Sequence, residues 1–185
     1  MRKWLSNLIY PRVFEMNEYL EKSNSNLQRL RSEAVLEANK NEKIIDAVKW
    51  IVKGDYRILA IDSTKSTYHY PEEVILYGYN DDDIQIMVTS PNRNYKYLTI
   101  NTNLNLLNKT IFIEDIECSE NNVNKGYGSL AMDCLINIAK SRKIERIRGR
   151  LSSVDKDHFD RLQHFYSKFG FSVNMDTGLI ELVLK

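Results

Sequence analysis

The stretch Thr110–Cys118, TIFIEDIEC, followed shortly by NKGYGS at Asn124–Ser129, constrains the fold more than any other feature of the chain. The alternation puts Ile111, Ile113 and Asp115 on one face and Phe112, Glu114 and Ile116 on the other, the period of a half-buried strand. After the glycines the period changes. Leu130, Cys134 and Ile138 form one stripe of a helix ending near Ser141, with Ala131, Leu135 and Ala139 beside it. Ile144–Leu151 then reads as a strand. A G-x-G at a helix start has two readings. It starts the helix and nothing more, or it brings unpaired backbone N–H groups and the positive end of the helix dipole close to a bound phosphate. Gly126 and Gly128 remove side chains that would keep a ligand away, and Lys125 adds a charge. A dinucleotide fingerprint is excluded because its third glycine is absent. A Walker loop is excluded because no G-K-S/T follows.

The segments on either side place this unit late in a longer order. From Val13 to Lys53 there is neither proline nor glycine. A heptad seam runs through Val13, Met16, Leu20, Ser23, Leu27, Leu30, Ala34, Glu37, Asn41, Ile44, Val48 and Ile51, as one helix or as two broken near Asn39–Asn41. The favoured expectation is that this face packs on the chain's own sheet; the alternative is a homodimer seam. Gly54-Asp55 ends the helix. Strands are expected at Arg57–Asp62, Glu73–Tyr79, Ile84–Thr89 and Tyr95–Asn101, with NDDD turning between the second and third, as an antiparallel meander. Near the end, Ser153, Asp155 or Asp157 caps a helix running to Lys168, Gly170 stops it, and Phe171–Val173 and Leu179–Leu184 are strands.

Composition narrows the functional classes. A formal net charge of +1 gives no wholesale attraction to nucleic acid. Cys118 and Cys134 stand far apart in apolar surroundings, with no Cys/His cluster, so neither zinc nor a disulfide framework is expected. The N-terminus MRKWLSNLIYPRVFE is interrupted by Asn7, Pro11 and Arg12 and makes a poor signal peptide, and no apolar run is long enough to span a membrane. The expectation is a cytoplasmic protein.

A second motif decides between the readings of the glycine run. HFYSKFGF, His164–Phe171, ends the last helix, so the order is strand, NKGYGS, helix, strand, helix ending in FYSKFGF, strand. From about Thr110 to Lys185 this resembles the GNAT superfamily of acyl-CoA-dependent N-acetyltransferases, whose signature is R/Q-x-x-G-x-G/A after a central strand and a Y-x-x-x-G-F-like ending on a later helix. The resemblance implies an α/β (α+β) fold with a mixed, mostly antiparallel central sheet flanked by helices. Residues 1–54 are then an N-terminal helical segment and residues 55–185 the acetyltransferase domain.

The resemblance also implies site residues. Ile116, Glu117 and Cys118 match the end of the central strand that pairs with the pantetheine arm of acetyl-CoA. Val123, Asn124, Lys125, Gly126, Tyr127, Gly128 and Ser129 match the pyrophosphate loop. Tyr166 matches the tyrosine near the coenzyme's sulfur and is the candidate general acid. Phe159 stands where many members place an asparagine on the coenzyme arm. Val123 replaces the usual Arg or Gln, which removes one side-chain contact and leaves the backbone donors. A leading strand followed by two helices, usual in the family, is not evident.

The implied reaction is direct transfer of an acetyl group from acetyl-CoA to a small-molecule or peptide amine, without a metal. A backbone N–H near Cys118 is placed to stabilise the oxyanion. Glu114, expected on one face with Ile116 and Cys118, is the candidate base; the plain alternative is a solvated strand carboxylate. His69, His158 and His164 have no ligand spacing and read as packing or surface residues. The basic run Lys140–Arg150 reads as a solvated helix end and strand edge, with the coenzyme's 3′-phosphate or RNA as alternatives. Tyr68–Tyr79 is a tyrosine-rich candidate for the acceptor side. The rival to an enzyme is a catalytically degenerate GNAT-fold module that uses the N-terminal helix as a partner surface.

Overall fold

The computed structural model describes residues 11–65, 70–81, 83–92, 96–151 and 159–184. The chain divides into two units, Met1–Ile45 and Asp46–Lys185, and one helix, α1 (Pro11–Lys53), passes through the division. α1 is continuous across Asn39–Asn41, as its lack of proline and glycine allows. It ends where Asp55 adopts a left-handed φ of 64° and the Gly54 N–H bonds back to the Trp50 carbonyl at 3.1 Å.

Among the described residues the second unit is built on one sheet of eight strands. These are β1 (Arg57–Ser63), β2 (Glu73–Asn80), β3 (Ile84–Thr89), β4 (Leu98–Asn105), β5 (Thr110–Cys118), β6 (Arg146–Arg150), β7 (Ser172–Val173) and β8 (Leu179–Val183). Their order across the sheet is β1-β2-β3-β4-β5-β6-β8-β7. β1 to β5 form the expected antiparallel meander. Among the described residues only β5 and β6 run parallel, because α2 (Tyr127–Ser141) carries the chain back between them. A third helix, α3 (Phe159–Lys168), leads to β7. Among the described residues no helix lies between β1 and β5, so the pair of helices usual in the family's first half is not found there.

Strands β2 and β3 are buried on both faces, which is why they read as continuous hydrophobic runs. Val74, Leu76, Ile86, Val88, Leu98 and Ile100 form one buried cluster with Leu130, Ala131 and Leu135 of α2. Fully burying each such leucine or isoleucine contributes about 1.5–3 kcal/mol. Alternation turns the buried Ile75, Tyr77 and Met87 the other way, and the rings of Trp50 and Tyr56 meet Tyr77 edge-on at 6.2 and 5.5 Å.

In the seam of α1, Ile51 is fully buried. Val13, Met16, Leu20, Leu27 and Leu30 are 48–59% exposed.

Candidate functional site

β5 has two halves with different neighbours. Thr110–Ile113 pair with Arg146–Gly149 of β6. Beyond Ile113, β5 continues to Cys118 bonded to β4, and among the described residues no strand pairs with its other edge. The two parallel strands thus part, and the freed edge offers backbone donors and acceptors to an extended ligand.

A β-bulge sits at the parting point. Ile113 faces Thr102 and Asp115 faces Asn101, so Glu114 is the extra residue. One extra residue reverses the alternation that follows it. Ile116 and Cys118 therefore fall on the side of Ile111 and Ile113 and are partly buried against the core, while Glu114 and Asp115 are both exposed. The expectation that Glu114 shares a face with Ile116 and Cys118, and Asp115 one with Ile111, is corrected by this bulge. Glu117 is exposed opposite Thr99.

The glycine run begins α2. Gly126 is its N-cap residue, with a left-handed φ of 93° and no side-chain cap. Asn124 is also left-handed, at φ 63°. Alternating left- and right-handed residues turn successive N–H groups into one concavity, an anion-binding nest. The first intrahelical bond runs from the Leu130 N–H to the Gly126 carbonyl at 3.2 Å. The Tyr127, Gly128 and Ser129 N–H groups precede it and point out of the helix end. Serine or aspartate usually caps such an end; here the position is a glycine, which leaves room for an outside anion.

Long-range contacts hold the loop. The Tyr127 phenol is buried, stacks on Tyr97 at 4.6 Å, and donates its O–H to Glu72. Tyr97 donates to the same carboxylate at 3.0 Å. Tyr127 thus meets any ligand of the loop through its backbone rather than its ring. A Cβ at Gly126 would lie 3.4 Å from Thr64 Cβ and 3.5 Å from the Lys65 nitrogen, and one at Gly128 would lie 3.3 Å from the Phe165 ring. Gly128 is therefore also a packing glycine, letting α3 approach the first turn of α2. Val123 is partly buried beside the loop.

Cations gather around this helix start. Lys168 donates to the Ser129 hydroxyl at 2.9 Å. Lys65, Lys168, Asp62 and Asp133 share a cleft of about 540 Å³ with Gly126 and Ser129. Burial pushes the Cys118 thiol above its ordinary range, opposed by the lesser pull of the nearby Arg161 and Lys125 toward the thiolate. Cys118 thus stays protonated near neutral pH and acts as packing. Lys65, Arg161 and Lys168 were not expected from the sequence. A signal was present for two of them, since Arg161 and Lys168 stand one heptad apart on one face of α3.

Tyr166 is buried between the rings of Phe165 and Phe171, at 5.2 and 5.4 Å. Phe159 is half-buried against the same cluster. His164 is exposed, and His69, His158, Tyr68 and the proposed caps of the last helix lie outside the described residues. Within the tyrosine-rich stretch, Tyr70 is exposed while Tyr77 packs the sheet and Tyr79 lies against Tyr56 at 4.9 Å. Three of the six cations of the basic run are engaged within the chain. Arg142 donates to the Asp81 carbonyl at 2.6 Å, Arg148 pairs with Glu181 at 2.6 Å, and Arg150 donates to the Thr177 carbonyl at 3.1 Å. Glu145, held below the usual carboxylate range by its hydrogen bond from Lys109, completes the pattern. Among the described residues there is no cluster of three or more potential metal ligands, and no helix is long and apolar enough to cross a membrane.

The model of the acetyltransferase (GNAT) family matches residues 53–171. The uncharacterized protein YocC of Bacillus subtilis (strain 168) is 42% identical over 53 residues, 29% of this chain and 32% of its own length, so the chain matches about a third of that relative. The ribosomal-protein-S18-alanine N-acetyltransferase of Escherichia coli is 12% identical over 57% of this chain and 73% of its own, with a TM-score of 0.45. The PaiA N-acetyltransferase of Thermoplasma acidophilum, solved in complex with coenzyme A, is 16% identical over 57% of this chain and 63% of its own, with a TM-score of 0.47. A GNAT-family acetyltransferase of Staphylococcus aureus Mu50 is 20% identical over 57% and 70%, with a TM-score of 0.47. The family match, which covers well over half of the chain, carries the assignment. A central strand that parts from its parallel neighbour, a glycine loop opening the next helix and a family match spanning both lead to one conclusion: the chain belongs to the GNAT acetyltransferase family.

Proposed function

We propose that this protein is an N-acetyltransferase that binds acetyl-CoA in the gap between β5 and β6 and passes the acetyl group directly to an amine. The observation that carries the reading is the uncapped start of α2, with Gly126 left-handed, following a strand whose edge is left free beyond Ile113. Backbone N–H groups of Val123–Ser129 suit the coenzyme's pyrophosphate, and Lys125, with Arg161 nearby, supplies positive charge. The free edge of Ile116–Cys118 suits the amide-bearing pantetheine arm, and Phe159 and Val123 give it apolar walls.

Acetyl transfer needs a polarised thioester carbonyl, a neutral amine and a proton for the leaving thiolate. A backbone N–H of the freed β5 edge serves the first need. Tyr166 is assigned the last, as proton donor to the sulfur. Glu114 remains the proposed base, now because it stands exposed in the bulge where the strands part. As partner, a second copy bound through α1 is proposed, and the cytoplasm as the site of action.

The test has two stages. Acetyl-CoA at a hundred times its dissociation constant stabilises the folded state by about 2.7 kcal/mol, a readable rise in melting temperature. Thiol release is then followed with a panel of small amines, peptide N-termini and lysine side chains. Binding and release together support the enzyme. Binding without release across the panel supports the degenerate binding module, and absence of binding overturns the coenzyme assignment.

A further inference from the structure

The exposed seam of α1 has a composition that complements itself. The exposed positions Val13, Met16, Leu20, Leu27 and Leu30 follow a heptad rhythm on a helix continuous from Pro11 to Lys53. Such a seam is stable in water when a second helix covers it. The charges around it distinguish the arrangements. In a parallel, in-register pair, Glu37 faces Glu37 and Asn41 faces Asn41 inside the seam, and Arg12 meets Asn17 on the flank. Antiparallel pairing sets each first-type core position against a second-type one and brings like flanks together.

Ile51 is buried, which closes the register that would set Val13 against it, and three shorter antiparallel registers follow in order of decreasing overlap. In the longest, Leu20 faces Glu37 and Met16 faces Asn41. In the next, Val13 faces Glu37 and Arg12 lies beside Lys40. In the third, Val13 faces Leu30, Met16 faces Leu27, and Leu20 faces Ser23. Its flanks set Arg12 beside Glu33 at both ends, Tyr19 beside Asn26, and Asn17 beside Asn24. No carboxylate enters the seam between Arg12 and Glu33, and no like charges meet. Glu33 already lies 3.7 Å from Arg29 in its own helix, so Arg12 of the other copy would complete a carboxylate held between two guanidinium groups.

We infer that the partner of the α1 seam is a second copy of this chain, paired antiparallel over about residues 12–33 with Arg12 of each helix against Glu33 of the other. This deepens the dimer reading of α1 proposed above and is independent of the coenzyme assignment. Two-fold symmetry makes each favourable contact occur twice, so every single substitution is felt twice.

Sedimentation of the full chain without coenzyme tests the pairing, so its outcome is separate from that of the acetyl-CoA experiment. The expected result is a reversible dimer that Leu27→Asp converts to a monomer with unchanged helix content, since Leu27 is exposed in the single chain. Arg12→Glu and Glu33→Arg each weaken the dimer about fivefold, and the double swap restores it, as two exposed ion pairs predict. Val13→Cys mixed with Leu30→Cys gives a disulfide between the two variants. Val13→Cys alone gives none, because the two copies of residue 13 lie roughly 25 Å apart along the pair at 1.5 Å per residue. Peptide mapping separates these bonds from Cys118 and Cys134. A monomer at hundreds of micromolar, which would leave the seam to another protein, overturns the inference. So does a dimer that the charge swap fails to rescue, or a Val13→Cys protein that cross-links to itself.

Discussion

Among single residues, Gly126 and Tyr166 carry the most. Gly126→Ala places a side chain on a backbone with φ 93° and costs about 1–2 kcal/mol. The new Cβ meets Thr64 and Lys65 only at ordinary contact distance, so the cost is conformational and falls on the loop. Titration calorimetry should show acetyl-CoA bound about tenfold more weakly, with the core intact. Tyr166→Phe keeps the ring among Phe165 and Phe171 and removes only the hydroxyl. It should lower kcat by about a hundredfold, the scale of one general acid, while the coenzyme-induced rise in melting temperature persists. Unchanged turnover would return Tyr166 to a packing role. Glu114→Gln should lower kcat by about a hundredfold while coenzyme binding persists, and unchanged turnover would remove the base assignment. Buried thiols add a pH dependence of stability. Burial pushes Cys134 from an ordinary 9.0 to about 11. Above pH 9 the unfolded thiol releases its proton while the folded one keeps it, so this contribution is complete below pH 9 and fades as pH approaches 11. Urea unfolding at pH 8 and pH 10.5 should show a smaller loss in Cys134→Ala than in the parent.

Among elements, α1 and β5 show what a pattern in sequence can and cannot convey. The seam of α1 is one uninterrupted rhythm, yet its end at Ile51 is fully buried and Leu27 is 59% exposed. Ile51→Ala should cost about 2–5 kcal/mol in urea unfolding of the monomer, and Leu27→Ala less than about 0.5 kcal/mol. Equal costs would contradict the exposures. The strand β5 was legible to the residue, Thr110–Cys118, because alternation and length agree. Its faces were not, because the bulge at Glu114 depends on the register of β4, which no local pattern records. The glycine loop was legible because left-handed and close-contact positions demand glycine. The clamp of Tyr97 and Tyr127 on Glu72 was not, since hydrogen bonds between distant side chains leave no periodic trace. The strand β4 began later than the apolar alternation from Tyr95 suggested, at Leu98.

Across the whole molecule, the order of elements was the readable quantity. The meander, the crossover through α2 and the final antiparallel strands follow from where glycines, acidic turns and period changes fall in the chain. The rhythm of α1 alone proposes no partner; the proposed pairing rests on exposure and charge placement as well. The clamp on Glu72 carries a further consequence, for folding kinetics. Its two phenols are 25 and 55 positions away in the chain, so the loop at Gly126 is secured only after two long closures. Helix α2 forms from local bonds well before that. In refolding, helical signal should therefore return ahead of coenzyme affinity. A newly made chain would pass through an interval in which it has most of its helix and no working grip on its ligand.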